Sequence, residues 1–192
     1  VVDLGSNTDT IESHIANFTL AANFEDLVLG SGAVNGTGNT VGNEITGNDL
    51  DNLLTGGGGN DELFGGNGDD TLNGGAQFDF IEGGLGADVI DLGPNGGRVT
   101  YGELTNVADL ALLGNDVVKG FNADSSIDLS GVLFSLGLSL SDADQAIADG
   151  YVILDKIGAD TLLSIDADGT AGGAVLLGTF VNATIDTIDI TV

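Results

Sequence analysis

Between residues 38 and 91 the apolar positions of the chain are sparse and regular. Ile45, Leu54, Leu63, Leu72, Ile81 and Ile90 recur every nine residues, and polar residues and glycine fill most of the places between them. That spacing fits neither the 3.6-residue period of an amphipathic helix nor the sustained alternation of a long half-buried strand. Written in nines, the tract reads GNTVGNEIT (38–46), GNDLDNLLT (47–55), GGGGNDELF (56–64), GGNGDDTLN (65–73), GGAQFDFIE (74–82) and GGLGADVID (83–91). Each block predicts a six-residue turn followed by a three-residue strand. Glycine at this density argues against helix, and so short a strand holds only by stacking on others. If each nine turns the chain through half a coil, blocks n and n+2 lie one strand spacing apart, about 4.8 Å. The aliphatic eighth positions then line a thin core between two parallel sheets.

The flanks carry a different pattern. Residues 9–30 alternate polar and apolar positions around Phe18, Leu20, Leu27 and Leu29, which predicts one or two strands capping the head of the repeat. Glycine sets the boundaries, since 19 of the 33 glycines fall between Gly36 and Gly97. The expected organisation is therefore all-β: capping strands over 1–35, a parallel β-roll over 36–97, and a β-rich, sandwich-like region over 98–192. In that last region RVTYGEL, NDVVKGF, YVILDKI, TLLSIDADGTAGGAVLLGTF and TIDTIDITV read as strands, with Asp168-Gly169 as a tight turn. One short helix is predicted in SDADQAIADG, where Ser141 caps the start, Asp144 takes the capping-box place and Gly150 ends it.

Charge changes the picture most. The formal net charge is −27, and the only basic residues are Arg98, Lys119 and Lys156. Nucleic acid and anionic membrane are excluded as natural partners, and cations are favoured. The chain has no cysteine, so neither a disulfide framework nor a thiolate metal site is available. No apolar run is long enough for a membrane helix, which needs about 18 residues. The start, VVDLGSNTDT, has neither the basic nor the apolar part of a signal peptide and lacks Met, so the chain is expected to be a piece or processed product of something longer. DLGSNTDTI (3–11) reads as the trace of an upstream repeat.

The four regular blocks put an acid at the sixth place: Asp61, Asp70, Asp79 and Asp88. The two looser blocks put Asn43 and Asn52 there. Coiling stacks Asp61 on Asp79 and Asp70 on Asp88, and no basic side chain precedes Arg98 to neutralise them. At roughly 5 Å two such charges repel by about 3 kcal/mol at an effective dielectric near 20. A divalent cation removes the conflict. Calcium accepts six to eight oxygens in forgiving geometry, and glycine turns let backbone carbonyls converge, whereas magnesium demands strict octahedral geometry and keeps its waters.

These blocks match the GGxGxDxUx nonapeptide, and the tract resembles the RTX (repeats-in-toxin, hemolysin-type) calcium-binding proteins. The resemblance implies a parallel β-roll with several calcium ions between turns n and n+2. One row would use Asp61 and Asp79 and the other Asp70 and Asp88, with carbonyls from Gly56, Gly58, Gly65, Gly74 and Gly83. Asn43 and Asn52 would extend the rows as weaker sites. Gln77 stands where the family has glycine. The flanks resemble those of type I secreted bacterial proteins, and Asp189, Ile190, Thr191 and Val192 look like the acid-then-apolar ending of such substrates, a secretion signal. The implied setting is the outside or surface of a Gram-negative bacterium, with type I secretion machinery as partner.

A mechanism follows by linkage. Without calcium, like charges and glycine entropy keep 36–91 unfolded; with it, binding free energy becomes folding free energy. No nucleophile and base pair or phosphate loop is present, so the piece is expected to be no enzyme. Alternatives are the terminal portion of an adhesin, surface layer or filament, in which calcium also joins copies of the chain, and the accessory module of a secreted protease, lipase or polysaccharide-modifying enzyme, which would meet a surface polysaccharide. Asp128 and the Asp166, Asp168 pair read as a strand end and a hairpin turn ahead of extra ligands, and His14 as structural or exposed.

Overall fold

The computed structural model describes residues 8–102, 104, 107–137, 143–167, 173–183, 185 and 190–192. Its chain winds between two facing sheets. One contains β1 (Thr10–Ser13), β3 (Asp26–Leu29), β5 (Glu44–Thr46), β7 (Glu62–Asn67), β9 (Asp79–Leu85), β11 (Gly97–Thr100), β13 (Ser126–Asp128) and β17 (Ile190–Thr191), in that order. The other runs β2 (Asn17–Thr19), β4 (Asn35–Thr37), β6 (Leu53–Gly58), β8 (Thr71–Ala76), β10 (Val89–Asp91) and β12 (Asp116–Lys119), then β16 (Val175–Phe180), β15 (Asp160–Ile165) and β14 (Val152–Ile157). Successive strands alternate between the sheets, which is the parallel β-roll that the period of nine predicts.

The register confirms the half-coil. Ile45 pairs with Leu63 and Leu63 with Ile81 in the first sheet, and Leu54 with Leu72 and Leu72 with Ile90 in the second. Every one of these side chains is buried. Burying a leucine or isoleucine contributes roughly 2 kcal/mol, so one aliphatic residue per half-turn is the main apolar reward for ordering a nine-residue, glycine-rich block.

The ladders cross both composition boundaries. The head contributes three strands, β1 to β3, in parallel register with the repeat, with Leu27 against Ile45 and Phe18 against Gly36. Beyond residue 97, β11, β12, β13 and β17 add further parallel strands and carry the core onward through Val99, Val118, Ile127 and Ile190. Among the described residues only β14, β15 and β16 are antiparallel among themselves, and β16 joins them to the roll along β12. The C-terminal strands thus lengthen the two existing sheets and build none of their own.

Among the described residues there are two short α-helices, one more than the sequence pattern predicts. α2 (Ala143–Ala148) is the expected one, closed by Gly150 at φ +82° with Gly150 N and Tyr151 N donating to the Ile147 and Ala146 carbonyls. Ser141 and Asp168-Gly169 lie outside the described residues. α1 (Ser130–Ser135) was hidden in SGVLFS, and a 3-10 helix spans Val107–Leu112. Asp128 explains where α1 begins, because its Oδ1 accepts from both the backbone N and the Oγ of Ser130, at 3.0 and 2.6 Å.

Candidate metal centre

The four aspartates sit at the inner ends of the turns, Asp61, Asp70 and Asp88 just before a strand and Asp79 as the first residue of β9, and all are buried. Their bonding repeats without variation. Oδ1 of Asp61, Asp70, Asp79 and Asp88 accepts the backbone N–H one coil earlier, from Asn43, Asn52, Asp61 and Asp70, at 2.8, 2.7, 2.9 and 2.8 Å. Each Oδ2 is buried and has no hydrogen-bond partner. An unpaired carboxylate oxygen removed from water is costly, and here it occurs four times in two rows.

The glycines explain what those oxygens face. A methyl group on Gly56 would collide with Asp61 Oδ2 and the Gly74 carbonyl oxygen; one on Gly65 would collide with Asp70 Oδ2 and the Gly83 carbonyl oxygen. Gly74 and Gly83 likewise leave room for Asp79 Oδ2 and Asp88 Oδ2. Carboxylate and carbonyl oxygens of adjacent coils therefore converge on a space that only glycine keeps open. Glycine at the second and fourth places of the turn adopts the left-handed region, as at Gly57 (φ +110°) and Gly59 (φ +109°), and this turns the carbonyls. Gln77 takes the same conformation at φ +82° without being glycine, so the third turn keeps the fold at some cost in strain.

An oxygen-only donor set of carboxylates and carbonyls suits a hard cation such as calcium. Among the described residues no three His, Cys, Asp or Glu side chains gather in one place; the oxygens beside Asp61 Oδ2 and Asp70 Oδ2 are the carbonyls of Gly74 and Gly83. Burial pushes the Asp61 and Asp70 carboxyls up to about 7 and those of Asp79 and Asp88 up to about 6, opposed by the backbone N–H that each accepts. Neighbouring carboxylates raise Asp61, Asp70 and Asp88 further.

Asn43 and Asn52 occupy the same places but are bonded differently. Asn43 Oδ1 accepts from Asn39 N at 2.7 Å while its Nδ2 donates to the Glu25 and Phe24 carbonyls at 3.0 and 3.1 Å. Asn52 Oδ1 accepts from Asn48 N at 2.8 Å. Asn39 Nδ2 reaches the Phe24 and Ala21 carbonyls at 2.7 and 2.9 Å, and Asn48 Nδ2 those of Ala33 and Gly30 at 2.8 and 3.0 Å. Side-chain amides thus satisfy the carbonyls that the glycine turns leave bare. The pattern of nines did not distinguish these two chemistries.

Asp116 is a member that sequence reasoning missed. It pairs across from Asp88, whose N–H it accepts on Oδ1 at 3.0 Å, although 28 residues separate them. The signal was GNDVV, in which Gly114, Asp116 and Val118 hold the fourth, sixth and eighth places of a block that lacks its opening glycines. At the other row's end Gly97 stands opposite Asp79 and offers no carboxylate.

The remaining candidates fall elsewhere. Gly58 packs on Thr40. Asp128 lies 3.8 Å from Arg98, and Asp166 is buried at the end of β15, where its N–H donates to the Tyr151 carbonyl. His14 is exposed, 3.1 Å from Glu12. Ile190 and Thr191 form β17 against β13, and Ile190 and Val192 pack on the core; Asp189 and Asp168 are outside the described residues. No described helix is long and apolar enough to cross a membrane.

Residues 37–72, 46–81 and 64–95 match the model of the RTX calcium-binding nonapeptide repeat (4 copies). No curated protein matches the chain significantly. Among solved structures it is similar to the AlgE6R3 subunit of the Azotobacter vinelandii mannuronan C5-epimerase, at 26% identity over 79% of this chain and 78% of that one, with a TM-score of 0.28. The AlgE6R2 subunit of the same enzyme matches at 20% identity over 79% of this chain and 91% of that one, with a TM-score of 0.38.

Proposed function

We propose, from the premise that residues 37–95 are RTX calcium-binding nonapeptide repeats, that this chain is a calcium-folded module with ions held along two rows. The observation that carries this is the set of four buried Asp Oδ2 atoms without partners, each beside a glycine whose side chain would fill the space. Asp61 and Asp79 serve one row and Asp70 and Asp88 the other. Gly56, Gly65, Gly74 and Gly83 keep the cradles open, and carbonyls such as those of Gly74 and Gly83 complete them. Calcium supplies the positive charge that the first 97 residues lack entirely.

Asn43 and Asn52 take no part as ligands in this reading, because Oδ1 of each already accepts a backbone N–H, from Asn39 and Asn48. The coils before residue 56 are stitched by asparagine and need no ion. They offer a preformed edge on which the calcium-dependent coils stack.

The role that follows is a folding and secretion module of an extracellular protein, without catalysis of its own. In chelator or at low calcium the coils from residue 56 onward stay unfolded, and millimolar-class calcium folds them, as for the weaker extracellular calcium modules. Ile190 and Thr191 are built into the first sheet, so a terminal signal would be readable only before the roll forms. Isothermal titration of the chelator-treated chain tests the calcium reading: saturable binding of several calcium ions, undisturbed by equimolar magnesium, is expected, and absence of binding overturns it.

A further inference from the structure

The outer face of the first sheet carries chemistry that the metal rows do not use. Alternation along β9 turns Ile81 inward and its neighbours Phe80 and Glu82 outward. Register places Phe80 beside Arg98 and Glu82 beside Phe64. Arg98 is the one basic residue before Lys119. Its guanidinium lies 5.5 Å from the centre of the Phe80 ring and reaches Asp128 at 3.8 Å. A ring and a carboxylate on this face thus hold a guanidinium that the chain supplies itself.

Phe64 and Glu82 present the same two groups, and Arg98 is turned away from them. Glu82 is half-buried and makes no hydrogen bond or ion pair with any described residue. A side chain on Gly102 would collide with its carboxylate, so glycine there gives the carboxylate its place. Glu82 lines a cavity of about 350 Å³, within the span of small-ligand sites, roughly 300–1,000 Å³. Phe64, Leu85, Leu104 and Leu113 supply its apolar surface. Asn67, also in the lining, spends Nδ2 on Asp49 Oδ1 at 2.6 Å, which leaves its own carbonyl oxygen to accept. No basic side chain among the described residues lines the cavity, so an anion has no counter-charge there. Gly65 and Gly84, which open turns of the repeat, line it as well, so the cavity exists only in the folded roll.

We propose that this cavity binds a guanidinium on a short apolar stem, the chemistry of an arginine side chain, with Glu82 pairing with the head and Phe64 stacking on it. A planar guanidinium meets a carboxylate through two parallel N–H bonds and lies flat on an aromatic ring, whereas an ammonium is a point charge that does neither. The stem runs along the leucines, as the stems of long basic side chains do on apolar surface. The site is separate from the calcium rows and gives this acidic module an organic cation as ligand.

The test titrates butylguanidinium into the isotope-labelled full chain in saturating calcium and follows the amide resonances. Saturable shifts centred on Phe64, Glu82, Leu85 and Thr100 are expected, with a Kd of about 1 mM or tighter. N-butylurea, of the same shape and uncharged, should bind about tenfold more weakly, and Glu82→Gln should weaken butylguanidinium by about as much. Phe64→Leu should weaken it about threefold. Glu44→Gln, on the same face two strands from Glu82, controls for general attraction to a chain of net charge −27 and should bind as the unsubstituted chain does. Acetyl-arginine amide separates the sources: affinity equal to that of butylguanidinium supports an arginine within a peptide, and weaker binding supports a free guanidine. Equal affinity for N-butylurea, or equal losses in Glu44→Gln and Glu82→Gln, overturns the site. Should Glu82→Gln not fold, the comparison of the two ligands on the unsubstituted chain decides. A chain that does not fold in calcium fails the calcium reading; one that folds and shows no shifts overturns this site alone.

Discussion

Asp61 and Asp79 are joined through the backbone: the amide of Asp61 donates to Oδ1 of Asp79 at 2.9 Å, while Oδ2 of each is buried with no partner. One oxygen of each carboxylate therefore holds the coils in register and the other is left for a cation. In the proposed reading the ligands are positioned before any ion arrives, and the ion becomes necessary once they are charged.

Glycine at the first place of the turn is predicted to be indispensable. Gly65→Ala puts a methyl group into Asp70 Oδ2 and the Gly83 carbonyl. Overpacking of this kind costs about 1–3 kcal/mol; because several ions bind as the roll folds, their shared calcium midpoint should rise by about two- to fivefold. Gly58→Ala, at the third place of a turn, where an added methyl group meets only Thr40 at ordinary contact distance and the backbone is not left-handed, is the control. Calcium titrations followed by far-UV circular dichroism compare the two.

Gln77→Gly should stabilise. The left-handed conformation of Gln77 costs roughly 1–2 kcal/mol, part of which glycine gives back through its greater freedom in the unfolded chain. A net gain of about 1 kcal/mol raises the melting temperature in calcium by about 2–4 °C for a chain of this size. Differential scanning calorimetry measures it.

Asn48→Ala should act where calcium does not. It removes the amide that spans to Ala33 and Gly30 and the oxygen that accepts from Leu50 N. Leaving buried peptide groups unpaired costs about 1–3 kcal/mol. Hydrogen exchange in chelator should show protected amides over β3 to β5 in the parent chain and lose that protection in the variant.

Acid should partly replace calcium. The carboxyls of Asp61 and Asp70 rise to about 7 and those of Asp79 and Asp88 to about 6, mainly through burial. The folded, metal-free roll thus binds protons that the unfolded chain has released, so its stability is greatest below the ordinary carboxylate range and is lost as pH rises through about 6 to 7. Chelated chain should gain β signal as pH falls below 6, and calcium binding near pH 6.5 should release protons, seen as a buffer-dependent heat in titration calorimetry.

The period of nine made the two sheets, the inward aliphatic row and the four aspartates legible, because each depends on a residue type fixed at one place. Three features were not. Asn43 and Asn52 share the oxygen of an aspartate, and only the structure shows the amide contacts that Asn39 and Asn48 add beside them. Asp116 was masked by the insertion before it, which breaks the count although Gly114 and Val118 keep their places. The strands after residue 97 looked like a separate region because glycine thins out there, yet strand pairing depends on register and not on glycine content.

The most direct test of the account is a calcium titration of the chelator-treated chain followed by far-UV circular dichroism, with magnesium as control. A cooperative gain of β signal in calcium, above the contribution of the asparagine-stitched coils, and none in magnesium, is the predicted result. Full β signal in chelator at neutral pH, unmoved by calcium, would contradict it, since four buried carboxylates would then be folded and ionised with no cation to hold them.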